Sequence, residues 1–436
     1  VGTVAAPPLV EYRRKIGRIA SDIVWGTGGD WSDKCTKEAF APHVKRALRA
    51  PAWEEVLRDG DDRSEDVTFM GRYVQVNIKP DEFAKPSKPP RAVNDLGVKA
   101  SLRAPWLVNA VKDALSSHPL VYKGWEYIFI KSPSMIALAE AFEKMTRRNV
   151  FLYFSDDSTV AFRTSEGMFW ANLDITSCDA SNGTSVFESL LDFAPGRLRR
   201  HMKALLRQCT WECRVGYGKG CLKFKPVEYF EYSGSLLTTL LNCVANLALG
   251  FYITQGYTPR SMLETQKWIE DRLGSCGWQC TIQRCSSFEE VQFLKCSPCR
   301  SVSGKWLPCL NLGVILRSIG QRRGDLPGRG DLAARARSFN AGLVKGFVHA
   351  GNHRLLRTLQ TKYLSERNAD VQFNSDAARF LTDGLKEILD DASVCARYGI
   401  SLGAYDELNN LIAHADFGDR ISCQASDTIL QLDYGL

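Results

Sequence analysis

The pattern of apolar and polar positions is most informative between Val150 and Ile175, where three short apolar runs, NVFLYF, STVAF and MFWANLDI, follow one another. They are separated by Ser155-Asp156-Asp157 and by Thr164-Ser165-Glu166-Gly167, both with turn chemistry, so the spacing predicts an antiparallel meander of three strands. Helical periodicity follows at Ser185 to Leu206, at Leu236 to Phe251 and at Met262 to Leu273. After Gly304 the chain reads as largely helical, with breaks at Gly320 to Gly330 and near Gly351. Upstream, basic helical-looking stretches (Glu11 to Val24, Ala41 to Leu48) alternate with breaks at Gly26 to Asp30 and Asp59 to Asp62, which reads as an irregular, loop-rich lobe. From Arg72 to Arg103 the chain first alternates and then becomes rich in Lys, Arg and Pro, and the prolines favour an extended, stiffened loop carrying basic side chains. No internal repeat or low-complexity tract interrupts this plan.

Composition narrows the class. In 436 residues, 44% are hydrophobic and 24% charged, which excludes disordered and fibrous classes and supplies core material for two or three cooperating subdomains. The formal net charge of +7 is compatible with a polyanionic partner without requiring one. Fourteen cysteines stand at irregular spacings, and no basic, apolar and small-residue leader pattern opens the chain, so free thiols in a reducing compartment are expected. The first residue, Val1, suits either a processed polyprotein product or a trimmed chain. Leu236 to Ile253 is the stretch most like a membrane span, but Asn242 and Asn246 interrupt it, and a buried helix with one polar, functional edge is expected instead. Cys296 and Cys299 form a CxxC near Cys276, Cys280, Cys285 and Cys309, without the second pair or the His partner of a standard zinc site.

Three blocks carry chemistry. Asp174 and Asp179 stand in a D-x4-D arrangement at the end of an apolar strand, a pattern that chance alone supplies readily. Ser233 and Gly234 open an apolar helix on which Thr238 and Asn242, four apart, share a face. The bland reading of that block is a helix capped by Ser233 with a satisfied core Asn. Asp156 and Asp157 are adjacent carboxylates in a tight turn between apolar strands, where their mutual repulsion gives a reason to hold a cation. One reaction needs all three blocks. Two-metal nucleotidyl transfer requires carboxylates from different strands, here Asp174, Asp156 and Asp157, to hold two divalent ions roughly 3.5 to 4 Å apart. Choosing ribonucleotides requires a polar network at the sugar 2′-hydroxyl, which Asp179, Asn242 and Ser233 could form.

These blocks resemble motifs A (LDITSCDASN), B (SGSLLTTLLN) and C (FSDDS) of viral RNA-dependent RNA polymerases. The run from Lys79 to Arg91, ending KPPRAVN, is similar to motif F, and RLGSCGWQCTIQR and EEVQFLKC are similar to motifs D and E. Motif C precedes motif A, so the arrangement resembles the permuted birnavirus and permutotetravirus polymerases; those carry Asn after the catalytic Asp of motif C, whereas this chain has Asp157. The resemblance covers roughly residues 72 to 300. It implies an α+β right-hand polymerase of fingers, palm and thumb, the permuted palm being an antiparallel sheet backed by helices. The expected division is 1–70 for the amino-terminal fingers, 71–148 for fingers with motif F, 149–300 for the palm with a finger-side insertion at about 184–230, and 301–436 for a helical thumb. It further implies catalytic and metal-holding roles for Asp156, Asp157 and Asp174, with Mg²⁺ as cofactor and Mn²⁺ able to substitute. Asp179, Ser233, Gly234, Thr238, Asn242, Lys79, Lys88 and Arg91 become the nucleotide-binding set, and Arg284 the candidate general acid. The implied partners are a single-stranded RNA template, nascent RNA, NTPs and other viral replication or capsid proteins, with no membrane span, in the host cytoplasm or the virion. A reverse transcriptase is disfavoured because it needs a bulky side chain where Asp179 stands. The alternative from another class is a catalytically inactive viral RNA-binding replication or structural protein.

Overall fold

The fold is taken from a computed structural model that describes residues 73–78, 91–97, 100, 104–117, 119–131, 134–194, 199–320, 325–326, 328–364 and 382–435. The expected amino-terminal lobe, and Lys79 and Lys88, lie outside the described residues.

In chain order the strands are β1 (Tyr73–Ile78), β2 (Ala92–Asp95), β3 (Leu120–Tyr122), β4 (Trp125–Phe129), β5 (Val150–Phe154), β6 (Asp157–Thr164), β7 (Gly167–Ile175), β8 (Glu212–Val215), β9 (Leu222–Phe224), β10 (Cys280–Cys285), β11 (Cys296–Arg300) and β12 (Trp306–Leu310). The helices that matter below are α1 (Pro105–Ser117), α2 (Met135–Met145), α3 (Cys178–Ser181), α4 (Thr184–Ser189), α5 (Arg199–Gln208), α6 (Thr238–Thr254) and α7 (Met262–Ser275). A helical carboxy-terminal region follows β12. The architecture is therefore mixed α+β.

The central sheet has six strands in the order β10-β7-β6-β5-β4-β3, antiparallel throughout except for the parallel pair β4 and β5, whose crossover is α2. The predicted meander is β5, β6 and β7. Its strands bury both faces, because alternate side chains point to opposite sides. Phe151 and Tyr153 enter one core with Val160, Phe162, Phe169, Ala171 and Leu173, covered by α1, α6 and α7. Val150, Leu152 and Ala161 enter a second core with α2, the β11–β12 hairpin and the carboxy-terminal helices. Double-sided burial explains why β5 reads as a continuous apolar run rather than an alternating one.

The helix α6 crosses the first face and is buried from Leu240 through Thr254. Gly250 lets it approach closely, since a Cβ there would come within 2.7 Å of the Phe151 ring. Glycine in a helix interior costs about 0.5 to 1 kcal/mol relative to alanine, and here it is the shape that the Phe151 contact requires. No described helix is long and apolar enough to cross a membrane. Beyond α6 the chain turns through Gln255 to Arg260 into α7, whose N-terminus Ser261 and Glu264 close in a reciprocal capping box.

Three readings need correction, the last of them the bland one for Ser233. The periodic stretch from Ser185 to Leu206 is not one helix: α4 passes into a 3-10 turn at Leu190–Phe193 and helix resumes at Arg199, because Pro195 opposes α geometry in the residue before it. The strand β12 lies within the stretch read as helical after Gly304; Pro308, which faces Pro298 of β11, disguised it. Ser233 does not cap α6, which begins at Thr238 after a turn in which Ser235 Oγ accepts from Leu237 N at 3.1 Å.

Candidate active site

The pairing of β6 with β7 places Asp157 directly opposite Asp174, and Asp156 occupies the preceding turn. Directly opposed residues of an antiparallel pair project from the same face with their Cα atoms roughly 4.5 to 5.5 Å apart. Both residues keep contact with solvent at the sheet end, while protein atoms crowd round the Asp157 carboxyl. Burial of surrounding volume, then the charges of Asp156 and Asp174, push the Asp157 carboxyl up to about 7, while Lys295 and a backbone N–H of Leu294 pull it down. The three carboxylates therefore share one electrostatic neighbourhood.

Lys295 and Leu294 arrive there because Asn172 pins their segment to β7. Its Oδ1 accepts from Gln292 N at 2.8 Å and its Nδ2 donates to Glu290 O at 3.1 Å. Leu294 and Lys295 then take positive φ values of 52° and 61°, turning the chain into β11. Arg284 is not part of this group. It sits on β10 opposite Ala171, on the other face of the sheet from Asp174, where its Nη1 donates to Gln266 Oε1 at 3.3 Å. Lys295 is the cation the structure brings to the carboxylates instead.

A second polar group lies beside the turn. Beyond β7, Ser177 adopts φ 51° and starts the short helix α3, which carries Asp179 towards α6. Asn242 Nδ2 donates to Asp179 Oδ1 at 2.8 Å, and Asn242 Oδ1 accepts from Asn182 Nδ2 and from Cys178 Sγ, each at 3.1 Å. Asn182 also donates to Glu231 Oε2 at 2.8 Å. Glu231 is 2% exposed, its other oxygen has no hydrogen-bond partner, and burial holds its carboxyl well above the ordinary carboxylate range. Burial also raises the carboxyl of Asp179, against which the Asn242 hydrogen bond and the Arg91 charge act, while Asp156 adds to the rise. Asn182 closes the LDITSCDASN block but was assigned no role there, and the one trace of Glu231 was its place just before Ser233-Gly234.

Ser233 and Gly234 perform a backbone task. Ser233 O accepts from Asn94 N at 2.9 Å, docking β2 and the neighbouring Arg91 onto the approach to α6. Gly234 has φ 107°, and a Cβ there would lie 2.6 Å from Asn94 O. Thr238 Oγ1 donates to Tyr232 O at 2.9 Å, which closes the turn rather than opening towards the carboxylates.

Divalent ions with a preference for oxygen fit the chemistry of Asp156, Asp157 and Asp174: hard carboxylate donors from a turn and two strands, with excess negative charge. As placed, no set of three or more His, Cys, Asp or Glu side chains among the described residues converges in a metal-ligating arrangement. The described cysteines are all free thiols, and Cys296, Cys299 and Cys309 are buried in the second core.

No protein-family model and no curated protein matches the chain. Among solved structures, it is similar to a chain of the birnavirus VP1-VP3 complex, at TM-score 0.41 and 11% identity, over 78% of this chain and 48% of that one. The chain thus spans about half the length of that neighbour.

Proposed function

We propose that the chain is an RNA-directed RNA polymerase with a permuted palm, adding NTPs to an RNA 3′-hydroxyl on a single-stranded RNA template. The observation that carries this reading is the β6–β7 register, which sets Asp157 against Asp174 with Asp156 in the turn, beside an Asn242–Asp179 hydrogen bond. A hairpin ahead of the motif A strand thereby delivers its acids to that strand's end despite the reversed order in sequence.

On this reading the ions are Mg²⁺, with Mn²⁺ able to replace it, held by Asp156, Asp157 and Asp174. When bound they supply activation of the attacking hydroxyl and stabilisation of the leaving pyrophosphate. The protein's own contributions are positional. Asn242 fixes the Asp179 carboxylate for contact with a ribose 2′-hydroxyl. Arg91, whose charge is felt at Asp179, would supply the counter-charge that an incoming triphosphate needs. The six-stranded sheet with α6 and α7 would be the palm, and the helical carboxy-terminal region the thumb.

The test is template-directed incorporation of labelled NTPs on a defined single-stranded RNA with Mg²⁺ or Mn²⁺. Wild-type protein is expected to give template-length products, whereas Asp156→Ala and Asp174→Ala give none while retaining RNA binding, because the carboxylates serve chemistry and basic residues serve affinity. Full activity in either variant, or RNA binding without synthesis by the wild type, would overturn the reading; the latter result would favour an inactive RNA-binding protein.

A further inference from the structure

The turn that presents Asp156 and Asp157 is held from behind at a single residue. Ser155 adopts φ 53°, a conformation that costs a non-glycine residue about 1 to 2 kcal/mol unless its surroundings enforce it. Both of its backbone polar atoms are tied to α6: Ser155 N donates to Cys243 Sγ at 3.1 Å, and Ser155 O accepts from Asn246 Nδ2 at 2.5 Å. Asn246 is 0% exposed and Cys243 1% exposed. Asn246 lies on an otherwise apolar stretch of a fully buried helix, and its Oδ1 is buried without a hydrogen-bond partner.

A half-satisfied amide in such a place is costly, since a buried polar atom without a partner loses about 1 to 3 kcal/mol. An aliphatic side chain of similar volume would suit the packing better. The side chain is therefore explained by what its other end holds. One helical turn earlier on the same face, Asn242 holds Asp179. A single rigid helix thus grips the carboxylate turn and the ribose-sensing pair at adjacent turns.

We infer that Asn246 is a positioning residue: through Ser155 O it fixes where the Asp156–Asp157 turn stands relative to Asp174 and to the Asn242–Asp179 pair. This rests on the polymerase reading above. Asn246 is fully buried behind the turn, and it acts by restricting the backbone that carries the ligating oxygens. Residues of this kind, which orient metal ligands from behind, typically change metal affinity by about 10- to 100-fold when removed.

The experiment uses the full chain and Mn²⁺ as probe. Mn²⁺ binding is followed by electron paramagnetic resonance of the free ion and thermal stability is measured in parallel, for wild type, Asp174→Ala, Asn246→Leu and a control, Asn409→Leu, a buried helical Asn remote from the site. Mn²⁺ binding and NTP incorporation by the wild type, both lost in Asp174→Ala, establish the parent reading. Asn246→Leu is then expected to keep or raise the melting temperature while weakening Mn²⁺ binding at least tenfold, with Asn409→Leu unchanged in Mn²⁺ binding. If Leu is not accommodated, Asn246→Ala replaces it and the same loss of affinity is expected in the folded fraction. A folded Asn246 variant with wild-type Mn²⁺ affinity overturns the inference and leaves the polymerase reading standing. A wild type without Asp174-dependent Mn²⁺ binding overturns both.

Discussion

Replacing Gly234 by Ala tests whether the contact between the β2 segment and the approach to α6 is as rigid as the distances imply. Three costs combine. At φ 107° the backbone lies outside the left-handed well that L-residues tolerate, and holding Ala there costs about 1 to 3 kcal/mol. The new methyl group meets Asn94 O at 2.6 Å, a backbone atom with no rotamer to escape into, so the two segments must part, at about 1 to 3 kcal/mol for displaced packing. Parting them breaks the 2.9 Å bond from Asn94 N to Ser233 O, worth about 1 kcal/mol. The total is about 3 to 7 kcal/mol, a large part of the roughly 5 to 15 kcal/mol by which domains are stable. Gly124→Ala is the control. It sits at φ 81° in the hairpin between β3 and β4 with nothing within 4 Å of a built Cβ, so only backbone strain of about 1 to 2 kcal/mol is incurred. Urea unfolding of both variants gives the comparison, and KM for NTP gives a second readout because Arg91 leads into the displaced strand. Equal destabilisation in the two variants would show that the contact yields freely and that the argument from close approach is wrong.

Asn242→Ala removes the side-chain amide that donates to Asp179 and takes from Asn182 one of its two oxygen acceptors, so the ratio of kcat/KM for NTP over dNTP is expected to fall by about 1 to 3 kcal/mol, or about 5- to 150-fold; an unmoved ratio places sugar selection elsewhere. Glu231 has its carboxyl raised in the folded state, so folding takes up protons there and stability falls as pH climbs above the ordinary carboxyl range; Glu231→Gln should melt higher than wild type at pH 8, with the gap closing towards pH 5, and a constant gap refutes this. His353 behaves oppositely. It is fully buried, caps a helix by accepting from Leu356 N at 3.3 Å, and burial pushes its imidazole down to about 3. Stability present above the unfolded value near 6.5 is lost as pH falls, by about 2 kcal/mol at pH 5, and in His353→Asn that part of the acid slope should vanish from chemical denaturation curves.

The meander, the Asp-Asp turn and the α6 and α7 helices were legible in the sequence because each is specified locally, by turn residues two to four long and by apolar periodicity. What escaped was specified at a distance. Asn172 has no motif, yet it binds Glu290 O and Gln292 N from across the sheet and so decides that Lys295, and not Arg284, stands near the carboxylates. Glu231 and Asn182 matter only once α3 and α6 are packed together. Asn246 could be read as polar within an apolar helix, but its partner is the backbone of Ser155, which carries no signature. Arg284 was assigned from its place in the stretch similar to motif D, which says nothing of which face of the sheet a side chain takes, whereas its register opposite Ala171 does.

The β5–β6–β7 meander also bears on the order in which the molecule assembles. Its pairings span few residues and close through tight turns, so loop-closure entropy is small and the hairpins can form within microseconds. The clamp on Ser155 and the β10 edge come from far along the chain and must wait for slower, non-local closure. The expected order gathers Asp156, Asp157 and Asp174 before α6 steadies them, so that the nascent hairpin would carry their mutual repulsion alone. Divalent cations or mild acid present during refolding should therefore speed the earliest phase, an effect on a folding rate exerted by residues whose proposed role belongs to the folded protein.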